Sequence, residues 1–285
     1  MTRLTKASPT ERTAPRFLWL DLTRKCQLGC RHCYNASGPD GRHGTMARED
    51  WICVLDQAAD CGVRGVQFIG GEPTMHPHAR ELVGYALALG LQVEVFSNLV
   101  HVTPEWWTLL RREGISLATS YYSDQAAEHD AVTGRRSHHR TRANIEHAVR
   151  LGIPLRAGII ASDETQRIGE AQQELQALGV TMISVDRVRP FGRGADGRAP
   201  ATSGLCGRCG TGRAVVGPDG TVAPCVFSDW MGVGNIRDGS LADILGGVSM
   251  AEANARIRST AKGGACGPDQ ECTPGFPGSS CNPRN

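Results

Sequence analysis

The sequence predicts an α/β protein: an incomplete, open (β/α)6 TIM barrel followed by a small Cys-rich C-terminal extension that contains a β-hairpin. Three observations carry this. Five times an apolar-periodic stretch runs through a glycine into an apolar run, in "CGVRGVQFI", "LGLQVEVF", "EGISLATS", "LGIPLRAGII" and "LGVTMISV". A further apolar run, "RFLWLDLT" at residues 16–23, precedes them all. Six such strands end near residue 188, whereas eight β/α units normally occupy about 250 residues, so the barrel should not close.

Each element follows from local chemistry. Gly62, Gly90, Gly114, Gly152 and Gly179 stand where helices end in a left-handed residue. Ile168, Ala171, Leu175 and Leu178 mark one face of the helix before Gly179. The strands are almost continuously apolar, as in a parallel sheet covered on both faces. On the first helix, Ile52, Leu55 and Ala59 read as the inward face, with Cys53 and Cys61 as plain buried or flanking thiols. In the extension, "GPDG" between "RAVV" and "TVAPCVF" reads as a hairpin turn. The expected limits are a flexible N-terminus at 1–15, the barrel at 16–189 and the extension at 190–285.

Charge excludes more than it suggests. The 285 residues carry 31 Lys and Arg against 29 Asp and Glu, which offers no electrostatic footprint for nucleic acid or an anionic membrane. The basic run "GRRSHHRTR", residues 134–142, lacks interleaved aromatics and reads as the solvated start of a helix. Nothing in the first sixteen residues resembles a signal-peptide core, and no apolar run is of membrane length. A cytoplasmic protein is expected, with no nucleic-acid or membrane partner. In that reducing compartment, eleven cysteines point to metal or cluster ligands rather than disulfides.

Active sites of barrel folds gather at the C-terminal ends of the strands. "CQLGCRHC" places Cys26, Cys30 and Cys33 just after the first strand, and Gly70, Gly71, Glu72 and Pro73 follow the second. Three thiolates are one too few for a closed zinc site or a fully ligated iron-sulfur cube. A zinc knuckle is the plain alternative for the triplet. The CxxxCxxC spacing, "GGEP" and a partial barrel together resemble the radical S-adenosylmethionine (SAM) superfamily over nearly the whole chain.

That resemblance implies a 4Fe-4S cluster on the three thiolates, with the amino and carboxylate groups of SAM on the open iron. Reductive cleavage of SAM would give a 5′-deoxyadenosyl radical that takes a hydrogen atom from the substrate. It also implies SAM contacts at Gly70, Gly71, Glu72 and Pro73, and polar support from Ser97, Asn98, Ser120 and Arg156 for the ribose and carboxylate. His32 takes a place near the adenine. Plainer readings stand beside these: Arg156 as a rim arginine satisfied by an acidic neighbour, and His32 as a solvated loop residue. Asp124 and Asp186 are acid/base candidates by position alone, with salt-bridged scaffolding as the alternative.

Cys206, Cys209, Cys225, Cys266, Cys272 and Cys281, with Gly220 five positions before Cys225, resemble the SPASM and Twitch extensions that carry auxiliary 4Fe-4S clusters. The pattern departs from full SPASM form, because no CxxC opens the Cys266 to Cys272 spacing. One auxiliary cluster on Cys206, Cys209, Cys225 and one later cysteine is expected; two three-cysteine clusters or a zinc site are the alternatives. "DRVRPFGRG", residues 186–194, resembles the junction of such enzymes, with Asp186, Arg187 and Arg189 lining a cavity or forming an ion-paired linker.

The resemblance implies a radical SAM oxidoreductase and peptide maturase that crosslinks, epimerises or oxidises a ribosomally made precursor peptide. A dehydrogenase of a small-molecule sugar or aminocyclitol is the second reading, and a non-enzymatic zinc module the third. A flavodoxin or ferredoxin should supply the low-potential electron. Only about sixteen residues precede the first strand, so a leader is expected to bind elsewhere or through a separate leader-peptide-binding protein.

Overall fold

The computed structural model describes residues 17–207, 209–210 and 212–260. Six strands run parallel in chain order: β1 (Phe17–Asp21), β2 (Gly65–Ile69), β3 (Gln92–Phe96), β4 (Ile115–Tyr121), β5 (Leu155–Ala161) and β6 (Met182–Arg187). Between them lie α1 (Arg48–Asp60), α2 (Ala79–Ala88), α3 (Pro104–Leu110), α4 (Ala126–Thr133), α5 (His138–Arg150) and α6 (Ile168–Ala177). The five predicted glycines all have positive φ, from 70 to 91°. A side chain there would meet the Cβ clash that makes the left-handed region expensive.

Strand alternation divides two cores. Leu18, Leu20 and Leu22 face outward with Trp51, Val54, Leu55 and Ala58 of α1, while Phe17 and Trp19 face inward with Ile69, Phe96 and Ala118. The inward face of α1 is therefore turned from the expected Ile52, Leu55 and Ala59. Trp51 is fully buried, and the largest apolar side chain available sets the rotation of the helix. Cys53 is left exposed and Cys61 half-buried. The basic run behaves as read: Gly134 ends α4, α5 begins at His138, and Arg135, Arg136, His139 and Arg140 are exposed.

The sheet continues past the sixth strand. In the extension lie β7 (Arg213–Val216), β8 (Thr221–Ala223), β9 (Gly234–Asn235), α7 (Leu241–Gly246) and α8 (Val248–Thr260). The predicted hairpin is β7 and β8, and β7 pairs in parallel with β1 over Phe17 to Leu20. The order across the sheet is β6-β5-β4-β3-β2-β1-β7-β8-β9. The first strand thus sits inside the sheet, and the loop that follows it lies between barrel and extension. Among the described residues no helix is long and apolar enough to cross a membrane.

Candidate functional site

Cys26, Cys30 and Cys33 occupy the long loop between β1 and α1, and all three are buried free thiols. They share one cavity with Gly71, Asn98, Ser120, Tyr122, His129 and other residues. Arg193, in the segment after β6, fastens this loop: its backbone N–H donates to Cys33 O, its Nε to Cys30 O and its Nη2 to Ser37 O, at 2.9, 2.7 and 2.7 Å. Burial pushes the Cys30 thiol up to about 12 and raises Cys26 and Cys33 too. Thiols so buried ionise only when a cation binds them.

Gly70 and Gly71 are required by close approach. A Cβ on Gly70, whose φ is 137°, would lie 2.6 Å from Thr23 O, and one on Gly71 would lie 2.4 Å from Lys25 O. The backbones are locked instead: Gly71 N–H donates to Thr23 O at 2.7 Å and Glu72 N–H to Lys25 O at 2.8 Å. Glu72 is fully buried. Its Oε1 accepts from Thr74 N–H and Oγ1–H, and its Oε2 accepts from Asn98 N–H at 2.8 Å. Burial raises its pKa, against these hydrogen bonds. Pro73 opens a short 3-10 turn.

Asn98 closes the circuit. Its Nδ2 donates to Cys26 Sγ at 3.6 Å and to Gln27 Oε1 at 3.2 Å, while its Oδ1 accepts from Gln27 Nε2 and Val100 N–H. Ser97 Oγ accepts from Leu99 N–H, and its hydroxyl is within hydrogen-bonding reach of the Glu72 carboxylate. Ser120 lines the cavity with the cysteines. His32 is buried, not solvated, with its ring edge-on to Tyr122 at 5.2 Å between centroids.

Three expectations change. Arg156 lies near the N-terminal end of β5, away from the cysteine loop, and its Nε and Nη2 both donate to Glu94. The acidic-neighbour alternative holds, because only the C-terminal strand ends meet the loop. Asp124 is held by Arg167 through two hydrogen bonds of 2.8 and 3.0 Å, which lower its pKa to about 2. Both carboxylate oxygens of Asp186 accept from Arg189 at 3.0 Å. Neither aspartate is poised as a general base.

In the extension, Cys209 has the Cys206 and Cys225 thiols within hydrogen-bonding reach, and together with burial they raise its pKa. Cys209 and Cys225 pack with Tyr34, Phe191 and Trp19, against the barrel's inward face. Cys266, Cys272 and Cys281 lie outside the described residues. No three or more His, Cys, Asp or Glu among the described residues are gathered for a single metal ion. The donor sets, Cys26, Cys30 and Cys33 in the first loop and Cys206, Cys209 and Cys225 in the extension, bring three thiols each among the described residues and fit a polynuclear cluster better than zinc, which needs four donors close to one point.

Sequence reading missed Tyr122, whose hydroxyl is within reach of the Cys30 thiol, and Arg193. The doublet "YY" at the end of β4 was the only trace of the first. Arg193 belonged to a segment read for its other charges, and nothing in the sequence shows that it folds back 163 positions to Cys30.

Two measurements check this geometry. Gly71→Ala should cost about 1–3 kcal/mol of stability by forcing Lys25 aside, read as a lower urea midpoint and less retained iron. His76, beside His43 and His78, is lowered from 6.5 to about 4 by burial first and by those two rings second. The folded state therefore takes up its proton less readily than the unfolded, and stability falls as pH drops from 6.5 towards 4. Urea midpoints between pH 7.5 and 5.5 should show His76→Gln removing about 1 kcal/mol of that fall.

The Radical SAM superfamily profile matches residues 20–165, and that of the SPASM iron-sulfur cluster-binding domain matches residues 206–273. A PqqA peptide cyclase of Streptomyces rochei is 29% identical over 188 residues, covering 65% of this chain and 52% of that protein. The mycofactocin maturase MftC of Mycobacterium tuberculosis is 27% identical over a 309-residue alignment covering 92% of this chain and 78% of MftC. SuiB of Streptococcus suis, solved bound to the precursor peptide SuiA, superposes with a TM-score of 0.71 at 16% identity, over 87% of this chain and 67% of SuiB. The chain spans about half the length of the first of these curated relatives. With the thiol triplet and the Gly-Gly-Glu-Pro lock inside that match, which spans just over half of the chain, the chain belongs to the radical SAM superfamily and carries a SPASM-type iron-sulfur domain behind its barrel.

Proposed function

We propose that this chain is a radical SAM oxidoreductase that modifies a ribosomally made peptide. One observation carries the reading: two separate sets of thiols, the buried Cys26, Cys30 and Cys33 after β1, and the buried Cys209 and Cys225 with the half-buried Cys206 beside β7 and β8, the latter pair packed into the apolar cluster of the barrel's inward face. The first set would hold a 4Fe-4S cluster with one iron open to SAM; the second, with a later cysteine, would hold an auxiliary iron-sulfur cluster. When bound, these groups supply the electron and the deoxyadenosyl radical that begins hydrogen-atom abstraction.

The chain's own residues supply position and shielding. The Gly70 to Glu72 backbone, Asn98 and Ser120 fix the floor of the SAM site, and His32 and Tyr122 wall one side of it. Trp19, Ile69, Phe96 and Ala118 fill the lumen below with apolar surface, which keeps water from a reactive radical. Asp124 and Asp186 hold arginines. A flavodoxin or ferredoxin is the electron donor this chemistry requires, and a separate leader-binding protein is one route to the peptide.

Similarity to a peptide cyclase, a maturase and a peptide-bound enzyme supports a peptide over a sugar or aminocyclitol. Anaerobically reconstituted protein, given SAM and reductant, should release deoxyadenosine faster when a precursor peptide is added. Alanine at Cys26, Cys30 and Cys33 should abolish that release. Alanine at Cys206, Cys209 and Cys225 should spare SAM cleavage but stop peptide modification, read by mass spectrometry. Stimulation by polyols and by none of the peptides encoded nearby would sink the proposal.

A further inference from the structure

The basic turn between α4 and α5 has no part in the chemistry above, yet it is built against the cysteine loop. Thr133 O accepts from Gly29 N–H at 2.9 Å, and Val132 O accepts from Arg31 N–H at 3.0 Å. Gly134, which ends α4 with a φ of 70°, sits so close that a Cβ there would lie 3.0 Å from Gly29 O. Gly29 is the residue before Cys30. Beyond Gly134 the chain opens onto solvent, with Arg135, Arg136, His139 and Arg140 all exposed. Arg136, His139 and Arg140 line one open groove with Ala126, Ala127 and Asp130 of α4.

The charge of this turn is unspent. Arg142, further along α5, pairs with Glu146 and Glu174, and Arg167 pairs with Asp124 and Glu170. Arg135, Arg136 and Arg140 enter no ion pair among the described residues. Asp130, the acidic group in the groove, caps α5: its Oδ1 accepts from Ser137 N–H and His138 N–H at 2.8 and 2.9 Å. Glu128 accepts from Ser123 Oγ–H. Like charges gathered at a surface without counter-charges repel one another and attract an anionic partner.

We infer that this turn is where a small electron-transfer protein with an acidic face docks to reduce the cluster that Cys26, Cys30 and Cys33 would hold. Charge supplies the attraction, and position supplies the reason. Arg135 stands two residues after Thr133, whose carbonyl is bonded to the neighbour of Cys30. A carrier seated here lies against the cysteine loop, as electron transfer requires. The large apolar side chains exposed among the described residues, Met75, Val185 and Val248, all lie elsewhere, which suits the small, weak interfaces of electron-transfer encounters. The carrier gives up one electron, and no bond forms or breaks. The inference rests on the cluster reading above and adds where its electron enters.

Biolayer interferometry on the anaerobic holoenzyme, without SAM or peptide, tests it with a flavodoxin and a ferredoxin as probes. The tighter probe should bind at low salt and release as salt rises. Arg136→Gln with Arg140→Gln should weaken that probe about tenfold. Arg111→Gln with Arg112→Gln removes the same charge from the exposed turn before β4, at the opposite end of the barrel, and should leave binding within about twofold. In deoxyadenosine release, the first pair should raise KM for the carrier about tenfold while kcat and the dithionite-driven rate hold. Iron content and melting temperature report folding; should the first pair misfold, Arg135→Gln replaces it, with about threefold expected. Failure of both probes to bind wild type, equal weakening by both pairs, an unmoved KM, or tighter binding of a short RNA or of decaglutamate at the same residues each overturns the assignment. A wild type that dithionite cannot drive defeats the cluster reading and this inference together. Intact dithionite turnover, with carrier binding indifferent to the first pair, defeats this inference alone.

Discussion

The chemistry of this molecule depends on one interlock, the pair of backbone hydrogen bonds that press Gly71 and Glu72 against Thr23 and Lys25. Two consecutive glycines allow a contact that any side chain would prevent. From there the connections run on without a gap. Glu72 reaches the backbone of Asn98, Asn98 reaches Cys26, and Arg193 reaches back from beyond β6 to Cys30. Loops after three different strands are thereby fixed around three thiols before any cluster arrives. Preorganisation of this kind places the cost of ordering in folding rather than in binding.

Charge is distributed in keeping with that plan. Asp21 pairs with Arg24, Glu94 with Arg156, Asp124 with Arg167 and Asp186 with Arg189. The carboxylates named here are neutralised in place, while the buried thiols remain protonated in a metal-free state because desolvation penalises their anions. Such a site is suited to receiving a cationic cluster and poorly suited to moving protons. That is the division of labour expected where a cofactor carries the reactivity and the protein supplies orientation and shielding.

Much of this was legible in the residues. Helix ends were marked by glycines whose positive φ is a steric necessity, and strands by apolar runs that both cores require. The cysteine triplet and the Gly-Gly-Glu-Pro stretch announce themselves because their spacing is local. What escaped was non-local. Arg156 was assigned to the wrong end of the barrel because a strand's sequence does not say how far along it a side chain sits from the loops. Asp124 looked catalytic because Arg167, which neutralises it, lies 43 positions away, whereas Arg189, three residues from Asp186, was within reach of the ion-paired reading. The rotation of α1 was missed by one position, since two candidate stripes share Leu55 and only the fit of Trp51 into the core separates them.

The pairing of β7 with β1 has a consequence for how the chain is made. A strand that emerges first acquires its second neighbour only about 200 residues later, which at about 5–20 residues per second of synthesis is an interval of about 10–40 seconds. Throughout that interval one edge of β1, with its row of backbone donors and acceptors, is open to any passing strand. The nascent barrel must wait, thiols already translated, for β7 to cover that edge, and the same segment of chain carries the arginine that clasps the cysteine loop.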